Sequence, residues 1–333
     1  MPTVSHVELN KAAQKFRKEL LIMAVLGVSN TLQHMTLRTG VRYKETVGEL
    51  AGPVELMPYT GELLNDDYEE DGMTIDGRDL ETYLGQAVKY FDPNTLISSL
   101  YGAAITKGSG LENLDINKAV LTLMMRKISG GLNKAIFNGV RDSRGKTTAT
   151  LFNGLDTITA TEVAASKLTV ALGNRYDFSA AITSSNAVDL LKAYYRAASD
   201  ELKAEAVKMY LPQTIYDNYL DDYQTTVGAV PYNTEFKKTF LEGSDRMCEL
   251  VPLVGKKDAA YLQISTKENM LVGVNQVGEE ERIEVRRGDN PFKLQFVTTM
   301  FFGTQFESLS PERLLVENWQ PNQAHKLWQY SAT

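Results

Sequence analysis

The sequence predicts an α+β protein. Three observations lead there. One segment, from about 115 to 138, carries apolar residues at helical spacing over some six turns. A second, from about 41 to 91, reads as two extended arms around an acidic, glycine-bounded tip. The later half mixes strand-like stretches with shorter helical ones, without a Gly-, Ser- or Pro-rich linker and without an internal repeat.

Composition sets the outer bounds. The chain has 333 residues, 43% of them hydrophobic and 23% charged, which is enough for a substantial core without staples. This excludes a wholly disordered, a collagen-like or a polytopic membrane chain. The formal charge of −7 disfavours non-specific nucleic-acid binding, which draws on phosphate neutralisation. No dense basic patch stands out in the sequence to reverse that.

The scarce residues limit the chemistry. Cys248 is the single cysteine, so an intrachain disulfide or a CxxC pair is impossible. A buried thiol is the simple expectation for it. His6, His34 and His325 are the only histidines and form no HxH or HExxH spacing. A GxSxG elbow is absent. No catalytic, cofactor-binding or metal-binding residue is assigned, and none is needed for a non-enzymatic reading.

In chain order, Leu9, Ala13, Phe16, Leu20 and Ala24 mark an amphipathic helix from about Val7 to Asn30. Its apolar run, Leu20 to Val28, is nine residues long, too short for the ~20 that span a bilayer, and Glu19 abuts it. Such a helix must dock on its own core or on a neighbouring subunit. Val41 to Val47 alternates like a strand exposed on one face, and Met73 to Leu84 is the returning arm. Between them, Gly61 to Gly72 holds six acids and no base. Asp67, Glu69, Asp71 and Gly72 resemble part of a calcium loop, but Arg78 stands where the bidentate glutamate belongs, and a solvated acidic loop accounts for the run. A two-stranded hairpin is marginal alone in water, so a protruding one needs support from outside the subunit.

Asp115 is placed to cap the long helix, and Ile116, Val120, Leu123, Met124, Ile128, Leu132 and Ile136 form its stripe. Gly130 and Gly131 should weaken or bend it, and Gly139 is placed to end it in the left-handed conformation. Gly139 to Thr148 superficially resembles a phosphate-binding loop, but five residues separate its glycines and it follows a helix, not a strand. Arg287-Gly288-Asp289 is an adhesion tripeptide by spelling and a turn by expectation. Strand-like stretches are Asp177–Thr183, Val207–Leu211, Cys248–Val254, Ala259–Ser265, Met270–Val274, Arg282–Arg286 and Phe292–Phe302. Helices are expected from about Asn186 to Ala198, capped by Ser185, and over Ile215, Tyr219 and Tyr223. The tail from Pro311 to Thr333 is mixed.

This order of elements resembles the major capsid proteins of tailed bacteriophages, whose fold is named for phage Hong Kong 97. The wording is similar too. Leu80-Glu81-Thr82-Tyr83-Leu84-Gly85 with Phe91-Asp92-Pro93, and Thr147 to Ile158 after the long helix, resemble capsid proteins of phages of Bacteroides-type hosts. So do Met209 to Tyr219, Leu250 to Gly255 and Ile264 to Val274. The resemblance implies an N-arm over 1–40, an extended E-loop hairpin over 41–91 and a peripheral domain over 92–160 containing the spine helix. It further implies an axial domain over 161–280, with closing strands and tail over 281–333. It implies a shell of hexamers and pentamers around double-stranded DNA, assembled in the bacterial cytoplasm, with a portal, a separate scaffolding protein, no cofactor and no membrane partner. Some members cross-link a hairpin lysine to a neighbour. Lys44 is the only lysine of Val41–Val47 and Met73–Leu84, near the base of the arms, and the bond is not carried over. Two other functions stay open: an encapsulin-type nanocompartment of the same fold, and a soluble α+β enzyme using carboxylates.

Overall fold

A computed structural model describes residues 6–17, 19–21, 29–51, 74–92, 116–227, 240–257, 261–275, 282–287, 293–311 and 314–318. The chain enters through helix α1 (His6–Lys15) and a single turn α2 (Ser29–Leu32). Strands β1 (Thr36–Thr39), β2 (Lys44–Ala51), β3 (Thr74–Glu81) and β4 (Tyr83–Phe91) follow. Then come the long helix α3 (Ile116–Asn138), α4 (Leu155–Ala164), the two-residue β5 (Arg175–Tyr176), α5 (Ala187–Arg196) and α6 (Asp200–Ala204). The remainder is β6 (Val207–Pro212), α7 (Gln213–Val227), β7 (Cys248–Leu253), β8 (Tyr261–Ser265), β9 (Met270–Val274), β10 (Ile283–Arg287), β11 (Leu294–Phe306) and β12 (Leu314–Asn318).

Two five-stranded sheets and one strand pair organise these elements. In the first sheet the order is β1-β9-β11-β10, with β4 also on β11. The 13-residue β11 is its backbone, taking β4 along Leu294–Phe302, β10 along Leu294–Thr298 and β9 along Phe302–Phe306. In the second the order is β5-β12-β8-β6-β7. Parallel pairs (β1 with β9, β6 with β7, β12 with β5) mix with antiparallel ones, as expected for α+β.

The alternation of side chains explains the two cores. On β11, Leu294, Phe296, Met300 and Phe302 turn to the helices and bury with Leu121, Met125, Leu132 and Ile136 of α3 and with Leu9 and Ala13 of α1. On β6, Val207, Met209 and Leu211 join Leu191 and Tyr194 of α5 and Ile215 and Tyr219 of α7 in a second core. Tyr210, on the opposite side of β6, belongs to the first core. The second sheet therefore has apolar cores on both faces, and that is why all five residues of β8 are buried.

Several expectations are corrected. The helix read from Val7 to Asn30 is not among these: α1 continues in helical bonds from Phe16 N to Ala12 O and from Leu20 N to Phe16 O, both 2.9 Å, and 22–28 lie outside the described residues. The strand read over Asp177–Thr183 is absent. Asn186 holds that stretch as a turn, its Oδ1 accepting from Thr183 N at 2.7 Å and its Nδ2 donating to Ala181 O at 2.7 Å. The expected cap Ser185 is not the one used. Val188 N–H of α5 donates instead to Asp222 Oδ2 of α7 at 2.7 Å. Of the segment assigned to the hairpin, β2 and β3 pair with each other, whereas Tyr83–Phe91 pairs with β11 in the body.

Gly139 does not adopt the left-handed conformation expected of it. Its role is closeness: a Cβ there would sit 2.6 Å from both Ala135 O and Phe152 O. Gly154 answers it, donating its N–H to Gly139 O at 2.8 Å, and a Cβ on Gly154 would lie 2.3 Å from Phe137 O. Neither Gly130 nor Gly131 interrupts α3. Gly131 gives room to Thr148, whose Oγ1 would be 3.0 Å from an added Cβ. The acidic tip, Val54–Tyr59, the capping Asp115, the tripeptide's Gly288 and Asp289, and the tail beyond 318 lie outside the described residues.

Candidate functional site

Thiol and metal chemistry find little footing among the described residues. Cys248 is fully buried on β7, and burial pushes its thiol up to about 12, so it is protonated and inert at neutral pH. Among the described residues no group of three or more His, Cys, Asp or Glu side chains could hold a metal ion, and no helix is long and apolar enough to cross a membrane. The loop after α3 is not a phosphate cradle. Thr148 opens a short 3-10 turn, and Gly145 is filled from above by Thr150, whose Oγ1 an added Cβ would meet at 2.0 Å. The loop follows a helix and does not open one, so no free amides of a helix N-terminus wrap a single phosphate there.

The buried charges are structural. Lys256 is fully buried, donating to Asp156 Oδ1 at 2.9 Å and to Gln263 Oε1 at 2.6 Å. Gln263 Nε2 donates to the same Asp156 oxygen at 2.7 Å, and Tyr261 N donates to the other at 3.4 Å. The ammonium lies 4.8 Å from the centre of the Phe137 ring. Burial holds the lysine below its ordinary value, against the opposing pull of Asp156. This network joins the end of α3, the start of α4 and the second sheet. Sequence reasoning missed it because its partners are about a hundred residues apart.

A second polar cluster ties the N-terminal segment down. Tyr210 OH donates to His34 O at 2.5 Å, Thr31 Oγ1 donates to Asn133 Oδ1 at 2.6 Å, and Lys208 Nζ lies 3.3 Å from His34 Nδ1 while pairing with Glu249. Partial burial first, then the Lys208 charge, hold the His34 imidazole below its ordinary value.

The features that face outward are two surfaces. One is the strand pair β2–β3, in register from Lys44↔Glu81 to Ala51↔Thr74. Its root is packed: Val47 and Leu80 bury with Val41 and Leu271. Arg78 fastens it to the body, donating to Glu162 Oε1 of α4 at 2.8 Å, to Gln305 Oε1 at 3.1 Å and to Phe306 O at 3.2 Å. Lys44 pairs with Asp79 across the ladder at 2.6 Å on the surface, and that contact raises the lysine and lowers the aspartate.

The other is the outer face of the first sheet. Residues opposite each other in a ladder share a face, so Leu84, Gln86, Val88 and Tyr90 of β4 lie with Phe301, Thr299, Val297 and Gln295 of β11. Val88 and Tyr90 are 41% and 52% exposed. Tyr43, itself 54% exposed, sets its ring edge-on to Phe301 at 5.2 Å. An apolar stripe of this kind beside a hairpin root is suited to binding protein, not a small molecule.

Comparison with solved structures decides what this architecture is. A chain of the satellite phage P4 procapsid, solved with its size determination (Sid) protein, matches with a TM-score of 0.55 at 13% identity, covering 90% of this chain and 98% of that one. The capsid of an empty GTA particle matches with a TM-score of 0.56 at 11% identity, over 88% and 90%. A chain of Mycobacterium phage Adephagia matches at 0.52 and 11%, over 87% and 89%. The chain has a phage capsid-protein fold. No family model matches it, and no curated protein does. The capsid-type fold is thus carried by a sequence about 11–13% identical to these neighbours, and matches them along nearly their whole lengths.

The capsid fold also directs attention to a surface that the sequence reading passed over. Residues 116–146 hold seven lysines and arginines against one aspartate. Of these, Arg126, Lys127 and Lys134 are exposed and recur at helical spacing on one side of α3.

Proposed function

We propose that this protein is the major capsid protein of a tailed double-stranded DNA phage, built on the Hong Kong 97 fold, many copies of which close an icosahedral head around the genome. The observation that carries the reading is the fold match over 90% of this chain and 98% of a P4 procapsid chain. In this reading 1–40 is the N-arm, 41–91 the E-loop region and 92–160 the peripheral domain around α3. Residues 161–280 form the axial domain, and the closing strands of 281–333 run back through both. The work done is assembly: contacts of modest strength, repeated under symmetry. The β2–β3 pair, held to its own body at its root by Arg78 and Leu80, reaches toward a sibling subunit in hexamers and pentamers. The partners are further copies, a portal and a separate scaffolding protein. The protein catalyses nothing.

Electron microscopy and size-exclusion of the expressed protein, alone and with any scaffolding partner encoded beside it, test this. Megadalton shells or ring-shaped capsomers are expected. A small, compact oligomer at high concentration overturns the reading. Deleting Glu62 to Gly72 is expected to lower shell yield. Unchanged yield and stability would remove hairpin docking from the account.

A further inference from the structure

We infer that the exposed face of α3, continued by the turn after it, binds the phosphate backbone of duplex DNA and is therefore the side that a shell turns toward its lumen. The inference rests on the shell reading for the word lumen, but the binding face stands on charge and geometry alone.

Among the described residues of α3, the exposed positions are Leu123, Arg126, Lys127, Gly130 and Lys134. Their spacing places them on one stripe, opposite the buried Leu121, Met125, Leu132, Ala135 and Ile136. The helix has no acidic residue anywhere along its length. Arg126 and Lys134 are eight residues apart, ~12 Å along the axis, on the scale of the ~12 Å width of the major groove. Gly130 between them leaves the surface low.

The turn extends the stripe. Val140 N bonds Ala149 O at 2.8 Å and Asp142 N bonds Thr150 O at 3.0 Å, folding the segment back on itself, and Thr148 rests against Gly131 of α3. Arg144 and Lys146 are exposed there. The one aspartate of the region, Asp142, is exposed, and its Oδ1 accepts from Arg144 N of its own loop at 2.9 Å. Arg141 is engaged elsewhere, 4.3 Å above the Tyr83 ring. Among the described residues, Arg126, Lys127, Lys134, Arg144 and Lys146 have no ion-pair partner. By contrast Arg78, Lys208 and Lys256 each hold a carboxylate.

Phosphate backbone fits this face better than an acidic protein segment does. A protein partner needs apolar or aromatic anchors seated in pockets, and among the described residues this face offers Leu123 near one end and Val140 in the turn, with no exposed aromatic. The apolar surface lies on the other side of the same layer, at Leu84, Val88 and Tyr90. One layer thus has an apolar side for siblings and a cationic side for a polyanion. Contacts of this type release counterions and carry no sequence preference.

The test measures the anisotropy of a labelled 20-base-pair duplex of arbitrary sequence with dissociated full-length protein between about 50 and 200 mM salt. Five phosphate contacts give a slope of log K against log salt of about −4.5, a loss of roughly 500-fold over that range. R126Q/K127Q/K134Q is expected to flatten the slope by about 3. The control R196Q/K257Q/K293Q, which removes three exposed cations elsewhere, is expected to leave it unchanged. Equal slopes for wild type and the α3 variant, or an equal loss in the control, overturn the inference. Micrographs of the same variants separate the two claims. An α3 variant that no longer forms shells marks the face as a subunit contact and overturns the inference. Wild type that forms none while binding DNA through α3 overturns the shell reading and leaves the binding face standing.

Discussion

The guanidinium of Arg78 meets the carboxylate of Glu162 at 2.8 Å, with both side chains only 15% exposed. One residue belongs to the arm β3 and the other to the last turns of α4, 84 positions later. The same guanidinium also reaches Gln305 Oε1 and the Phe306 carbonyl on β11. The hairpin therefore leaves the body from a fixed root, and its direction is set by three hydrogen bonds to two elements. A two-stranded pair that is marginal alone acquires its orientation from this attachment.

Arg78→Ala leaves Glu162 without this partner in a largely dry position. The expected loss is about 2–3 kcal/mol, the range for hydrogen bonds to charged groups, read as a lowered urea midpoint. Faster proteolysis within β3 should accompany it. Arg78→Lys restores the charge but not the fork of donors, and is expected to recover less than half.

Lys256 and Asp156 form a buried pair, so removing either partner alone strands a charge. Lys256→Met and Asp156→Leu are each expected to cost about 3–5 kcal/mol. The double variant is expected to cost less than the sum of the two. A double-mutant cycle by chemical denaturation reads the coupling, and strict additivity would show that the two side chains do not act together.

Asp222 caps a helix that its own sequence leaves uncapped. Asp222→Ala is expected to destabilise by about 1 kcal/mol, with Asp222→Asn keeping most of the stability because its amide oxygen still accepts from Val188 N. Hydrogen exchange at the start of α5 should rise in the alanine variant alone.

His34 is held below its ordinary value of 6.5, so the unfolded chain takes up its proton first as pH falls. Its contribution is fully present above about pH 6.5 and is lost as pH drops from there toward the folded value. Lys208, Lys267 and Glu249 are the charges acting on it; the two lysines oppose its protonation and the carboxylate favours it. Wild type is expected to lose more stability than His34→Gln between about pH 7.5 and 5.5. Equal losses would mean that the imidazole is not sensed.

Cys248 is expected to resist a thiol reagent such as DTNB in the folded protein at pH 8 and to react at once in denaturant. Burial both shields the sulfur and pushes it up to about 12. Rapid labelling of the native chain would place β7 at the surface.

The sequence alone determined those elements whose pattern is local. The period of α3 marked a helix that the structure ends at Asn138, Met270–Val274 was bounded to the residue, and the paired arms around the acidic run were legible as strands. Tertiary structure decided whatever depends on partners distant in the chain. It placed Tyr83–Phe91 on β11 instead of in the hairpin, because an extended segment pairs with whichever edge the fold brings to it. It made Asp222 and not Ser185 the cap, and made Gly139 a contact point, not a left-handed stop. It also left Arg126, Lys127, Lys134, Arg144 and Lys146 exposed, the first three on one face of α3. Periodicity records which face of an element is apolar. It does not record which neighbour covers that face or which charges end up side by side, because those are properties of packing.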